Sequence, residues 1–194
     1  MAIFTYSRPT DAVKKVDGAY LPGQLAAVSP VDVIVPAIVG ATAVENGQFV
    51  KKSVVNGVLT VVPFASGDTA ADIFGIVLSD VRGQRVVGES IIHTYQPGQT
   101  VSIIRQGFVA VPLQVSTDLA ADGQVYVRIA ANATNTALIV GGVETKSVTD
   151  ETSAVTGAVF TGQSGYPLTK EQNGTTVAGG ITSKTAVIKL TLGL

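Results

Sequence analysis

Cysteine is absent from all 194 residues. That removes disulfides, thiolate nucleophiles and cysteine-based zinc sites together. Histidine occurs once, as His93, so a multi-histidine metal site is excluded within one chain. A lone imidazole can act as a single base, but it needs a positioned nucleophile, and no motif supplies one. His93 lies in Ile91-Ile92-His93-Thr94-Tyr95 and is expected to be structural. Tryptophan is also absent and aromatics are 6% of the chain, which weakens a carbohydrate-binding module with flat aromatic platforms. Charged residues are only 14%, against about 25% in typical soluble domains.

The net charge is −1, and lysines and arginines are scattered. Lys14-Lys15 and Lys51-Lys52 are the only adjacent basic pairs. Nucleic acid is therefore not an expected partner, because that binding rests on a dense basic face. Long hydrophobic runs are missing too. The longest apolar stretch, 31–44, is interrupted by Asp32, Pro36, Gly40 and Thr42, and it falls short of the ~20 residues that span a bilayer. The first residues carry no basic and apolar leader pattern, so no membrane partner and no secretion signal are expected. The sequons Asn132-Ala133-Thr134 and Asn173-Gly174-Thr175 are then ordinary turn residues. Glycine-rich phosphate loops, a Gly-x-Ser-x-Gly elbow and EF-hand spacing do not occur. Gly162-Gln163-Ser164-Gly165 is only a loose likeness of the elbow. Asp68 with Asp72, and Asp118 with Asp122, are carboxylate pairs four apart. Capping and turn formation explain them more cheaply than acid–base work. No catalytic residue, cofactor or metal ligand is assigned, and the chain is expected not to be an enzyme.

What is present is a small phrase: a turn residue, then Gly-Gln, then a strand. It appears as Pro22-Gly23-Gln24, Asn46-Gly47-Gln48, Pro97-Gly98-Gln99 and Asp122-Gly123-Gln124. Glycine accepts the positive φ of a tight turn, and Asn, Asp or Pro primes it. The phrases are 24, 51 and 25 residues apart, too irregular for a solenoid. They punctuate one β fold.

Strands are expected along most of the chain from residue 31. Val33-Ile34-Val35 runs into Pro36, which predicts an edge-like or broken strand. Asn56-Gly57 between two β runs is the strongest hairpin signal. Ile73-Phe74-Gly75-Ile76-Val77-Leu78 reads as buried on both faces or closely approached at Gly75. Val101–Gln106, Phe108–Pro112, Val125–Ile129, Ala137–Val140 and the alternating Lys184–Leu192 follow. Thr145–Ser153 reads as an exposed polar connection, and Gly157–Gly180 is weakly patterned. The only helical signals are short, at Thr69–Asp72 and Ser116–Asp122. The expectation is an all-β fold, a compact β-barrel or β-sandwich with few or no helices. Residues 1–30 read as an extended arm ordered by another surface, and 31–194 as a single β domain in which 145–180 is a loop-rich insertion or subdomain.

From Val33 onward the order of elements resembles the structural cement, or head-decoration, proteins of tailed bacteriophages. The resemblance is carried by 73–78, by Gln96–Val111, by Asp122–Val127 and by the closing strand Ala186–Leu192. It implies a small β core, attachment to the outside of an assembled capsid, and contact with the major capsid protein. It also implies self-association, a trimer ahead of a dimer. The contact candidates are Phe4, Tyr6, Arg8 and Tyr20 on the arm, and Val33, Val35 and Val39 on the strand edge, since edges offer unpaired backbone groups. Other virion parts, a tail tube or fibre module, stay open beside this reading.

Overall fold

The computed structural model describes residues 22–27, 32–79, 94–114, 119–132, 134, 138, 140–168, 171–172, 175–176 and 183–193. Fourteen strands account for nearly all of the regular structure. The first half contains β1 (Leu25–Ala27), β2 (Val33–Val39), β3 (Val44–Glu45), β4 (Phe49–Val55), β5 (Val58–Pro63), β6 (Ile73–Val77) and β7 (Thr94–Tyr95). The second half contains β8 (Thr100–Pro112), β9 (Ala121–Arg128), β10 (Val143–Glu144), β11 (Thr152–Leu168), β12 (Glu171–Gln172), β13 (Thr175–Thr176) and β14 (Ser183–Thr191). The fold is all-β, as the sequence predicts. Its one helical element among the described residues is a single 3-10 turn at Ala70–Asp72.

Ten strands form one mixed sheet. The long strand β8 is its hinge. It pairs with β2 along Thr100–Gln106, with β6 at Ile103 and Ile104, and with β14 along Gln106–Pro112. The ladders β8–β2, β2–β5, β5–β4, β4–β6 and β6–β8 close a circuit of five strands. Of the remaining five strands, β14, β11, β9 and β10 continue the sheet from the other part of β8, and β1 pairs with β8 off that path. The result is a sandwich-like arrangement with two apolar cores.

Successive residues of a strand point to opposite faces, and here both faces are covered. Ala37, Val39, Val50, Val61, Val77, Val101 and Ile103 fill the inside of the five-strand circuit. Their neighbours Phe49, Ile76 and Ile104 point outward into the larger core, against Val125, Val155, Phe160 and Ile188 of the second layer. This explains why 73–78 is apolar without alternation. It also explains Gly75: a Cβ there stands 2.5 Å from Ile103 Cγ2 and 2.6 Å from the Ile104 carbonyl oxygen. β14 lies between β11 and β8, so Val187 is buried along with Ala186, Ile188 and Leu190.

Several local expectations change. Ala137–Val140 is not a strand among its described residues; the strand comes at Val143–Glu144 and pairs with Val127 and Tyr126. Its period-2 pattern is too short to distinguish a strand from a buried loop, and Leu138 is indeed buried. The helical signal around Ser116–Asp122 ends in a strand, since Ala121 and Asp122 open β9 and Asp122 sits at φ +58°. Within 145–180, residues 152–168 form β11, which places Val155, Ala158 and Phe160 in the core despite their Gly- and Thr-rich context.

The turn phrase takes two forms. Gly23, Gly47 and Gly98 adopt φ +74°, +78° and +84°. In 45–48 and 96–99 the glycine is the third turn residue, where a type II turn needs positive φ. There the glutamine closes the turn twice. Its backbone N–H donates to the first residue's carbonyl, and its side-chain oxygen accepts from the first residue's N–H (Glu45 N to Gln48 Oε1, 3.0 Å; Gln96 N to Gln99 Oε1, 2.7 Å). At the fourth phrase Asp122, rather than Gly123, takes the positive φ.

Candidate functional site

The surface that stands out lies at one end of the five-strand circuit. The β4–β5 hairpin turns through Asn56 and Gly57, at φ +52° and +76°, the two positive values that a type I′ turn requires. Val55 pairs with Val58, and Val54 with Leu59. Val54, Val55 and Val58 are 58%, 52% and 45% exposed, and with Ile34 at 43% they are the exposed large hydrophobics of the described residues. β2 and β5 run parallel but pair only at Ile38–Thr60 and Val39–Val61. The residues before Ile38 therefore extend toward the hairpin turn, which brings Ile34 to the same end as the three valines.

The edge of β2 that no described strand covers is at this end too. Val39 donates its N–H to Gln99 and accepts from the Gly98 N–H, toward β8. Backbone groups alternate between the two edges of a strand, so Ile34 and Pro36 face the opposite edge. No described strand pairs with that edge before Ile38. Pro36 therefore gives up no ladder bond, and β2 runs through it unbroken, aligned with Ser102. The sequence reading of an edge-like strand holds, but the strand is not broken.

Of the predicted contact residues, Val33 and Val35 are half-buried with side chains on the inner face of the circuit, and Val39 is sealed at 2% exposure. The exposed, outward side chains of this strand are Ile34 and Pro36. The three valines thus belong to the inward set of the alternation. Phe4, Tyr6, Arg8 and Tyr20, like His93, Asp118 and the pair Lys14-Lys15, lie outside the described residues.

The base of the N-terminal segment is clamped. Gly23 donates to the Ala110 carbonyl (2.8 Å) and accepts from the Ser79 N–H (2.9 Å), while Ala110 N–H reaches the Gln24 carbonyl (2.9 Å). The buried Asn46 side chain donates to the Pro22 carbonyl at 2.7 Å. A Cβ on Gly23 stands 2.7 Å from Ser79 N. Two of the turn phrases, 22–24 and 46–48, thus pack on each other, and β1 follows along β8 at Val109 and Phe108.

The charged groups that cluster do structural work. Arg128 is 1% exposed. Its Nε meets Glu144 Oε1 at 2.5 Å and its terminal nitrogen meets Glu151 Oε2 at 2.5 Å. Asn132 donates to both Glu151 oxygens, at 3.2 and 2.9 Å. Burial pulls the guanidinium down, but hydrogen bonds to Glu151 and Glu144 outweigh it and raise Arg128 above its ordinary value. Hydrogen bonds from Arg128 and Asn132 hold the Glu151 carboxyl below the usual carboxylate range. Asp72 is lowered by the Thr69 N–H and hydroxyl that donate to it. Asp68 accepts from the Ala65 N–H and pairs with Lys51 at 2.7 Å. The carboxylate pair Asp68 and Asp72 is thus committed to a turn and an ion pair. No group of three His, Cys, Asp or Glu suited to a metal ion occurs among the described residues.

The described residues thus present a β scaffold, a hydrogen-bonded clamp at Pro22–Gln24 and one apolar end. Comparison with known families makes this specific. The family described as "Structural cement protein (E217 gp24/Pam3 gp6)" matches residues 10–191, and the chain belongs to this family of phage structural cement proteins. A solved structure, "The capsid of Myoviridae Phage XM1", contains a chain with the same fold. The TM-score is 0.58 at 18% identity, covering 93% of this chain and 95% of that one. A comparison with curated proteins gave no match.

Proposed function

We propose that this protein is a non-enzymatic decoration of the phage head that binds the outer surface of the assembled capsid and bridges neighbouring coat subunits. The family match over 10–191 carries this reading. The mechanism is mass action: a protein that binds only the assembled lattice stabilises it against opening. Repeated contacts on one particle add avidity. The low charge fits a surface that is largely covered in use. In this reading the part of the 1–30 arm that precedes the clamp at Pro22–Gln24 reaches a neighbouring subunit, with Phe4, Tyr6, Arg8 and Tyr20 as contacts, while Leu25–Ala27 stays in the sheet as β1. The edge of β2 contributes through its backbone and Ile34. The protein acts as a homo-oligomer, a trimer, with no catalytic step, nucleic acid or membrane involved.

Cryo-electron microscopy of native particles tests this. Density for the fold on the outside of the head, touching at least two coat subunits, is expected. Density on the tail, or inside the shell, overturns it.

A further inference from the structure

We propose that the apolar end formed by the β4–β5 hairpin is a prong that seats in an apolar crevice of the coat lattice. This rests on the cement reading and names the contact that reading needs. The exposed large hydrophobics of the described residues do not scatter; Ile34, Val54, Val55 and Val58 share one end. Isolated exposed apolar residues need no explanation, but a concentrated patch does. Val55 and Val58 face each other across the ladder next to the turn, so they project together from a narrow hairpin. On an unpartnered surface, a β-branched pair at such a tip is the feature that selection against aggregation removes.

The occupant follows from size and shape. The four half-exposed side chains offer on the order of 300 Å² of apolar surface. A stable interface between two free proteins buries about 800 Å² per partner, so the prong does not hold two free copies together. A weak contact gains strength when it is repeated across a lattice. A narrow tip also suits a concave site better than the self-complementary face of a two-fold dimer. The edge beside it, which no described strand covers, restricts strand pairing: Pro36 lacks an N–H, and Ile34 is the one residue of β2 before it that turns both a donor and an acceptor to that edge. A prong that binds through side chains, with at most a short backbone bridge at Ile34, satisfies both facts.

The test uses the full-length chain and capsids that lack it. Val55→Thr with Val58→Thr keeps the β-branched shape that strands favour, and Ile34→Thr is a second, independent probe of the same end. Lys146→Ala, on an exposed turn, is the control. Wild type and control are expected to co-sediment with shells with equal affinity. The double variant is expected to melt within a few degrees of wild type and to bind about tenfold or more weakly. Undiminished binding by the valine double variant and by Ile34→Thr overturns the prong and leaves the cement reading standing. Failure of the wild type itself to bind overturns both. Sedimentation velocity without capsids covers the alternative occupant: loss of self-association in the double variant assigns the prong to a second copy and overturns the proposal.

Discussion

Replacing Arg128 with methionine tests the packing of the second layer directly. The guanidinium and the Glu144 side chain are 1% and 2% exposed, and they touch at 2.5 Å. Methionine preserves much of the apolar stem but leaves the Glu144 carboxylate buried without its cation. Breaking a buried pair from one side costs roughly 3–5 kcal/mol, because the orphaned charge keeps its desolvation penalty. Total stabilities are about 5–15 kcal/mol, so this is a large share. With a urea slope near 2 kcal/mol/M, the midpoint falls by roughly 1.5–2.5 M. Two controls make the cause specific. Arg128→Met with Glu144→Leu removes both buried partners, and is expected within about 1–2 kcal/mol of wild type, since apolar replacement of a whole pair is often near neutral. Arg128→Met with Glu144→Gln removes the orphaned charge by substitution, and is expected to recover part of the single variant's deficit, because a neutral polar group is far cheaper to bury than an ionised one. A loss below about 1 kcal/mol at pH 7, or a double variant no better than the single, refutes the assignment of a buried, mutually dependent pair.

Other expectations follow from the same geometry. Asn46→Ala leaves the Pro22 carbonyl without its 2.7 Å donor; a loss of about 1–3 kcal/mol is expected, together with faster proteolysis near residue 22. Unchanged proteolysis would show that the clamp does not depend on this bond. Glu151 has a folded pKa below its unfolded value, so its contribution is present above the ordinary carboxylate range and is lost as pH falls through the folded pKa. Asp72 acts in the same direction. Glu151→Gln is therefore expected to flatten the acid limb of a stability–pH profile measured by urea melts, and an unchanged limb contradicts this.

The sequence made the punctuation of the fold legible. Asn56-Gly57 marked the hairpin because two consecutive positive φ values leave few alternatives to that dipeptide. Gly75 was readable as a close approach because an uninterrupted apolar run needs both faces covered. The closing strand was legible from Ala186, Ile188 and Leu190, but its central position was not, since Val187 looked like the outer half of an alternation. β11 was obscured by its glycines and threonines: register shifts at Phe160–Ser164 and Ser164–Pro167 disrupt the period that would announce it. The partnership of Arg128 with Glu144 and Glu151, 16 and 23 residues away, had no local signal. On β2 the strand was legible but the parity of its faces was not. Val33, Val35 and Val39 look as apolar as Ile34, and only the ladder to β8 decides which set turns inward. The exposed tip valines left a trace in the sequence, Val-Val-Asn-Gly-Val, that reads equally well as ordinary strand ends.

In the proposed role this chain holds an assembled shell closed. The direct measurement is the temperature at which capsids lacking the protein open, with and without it added at about 100 times its dissociation constant. At that excess, linkage provides about 2.7 kcal/mol per site, multiplied over many sites. Opening is expected to shift upward and to saturate as the lattice sites fill, with no binding to unassembled coat subunits. An unchanged opening temperature at full occupancy contradicts the account.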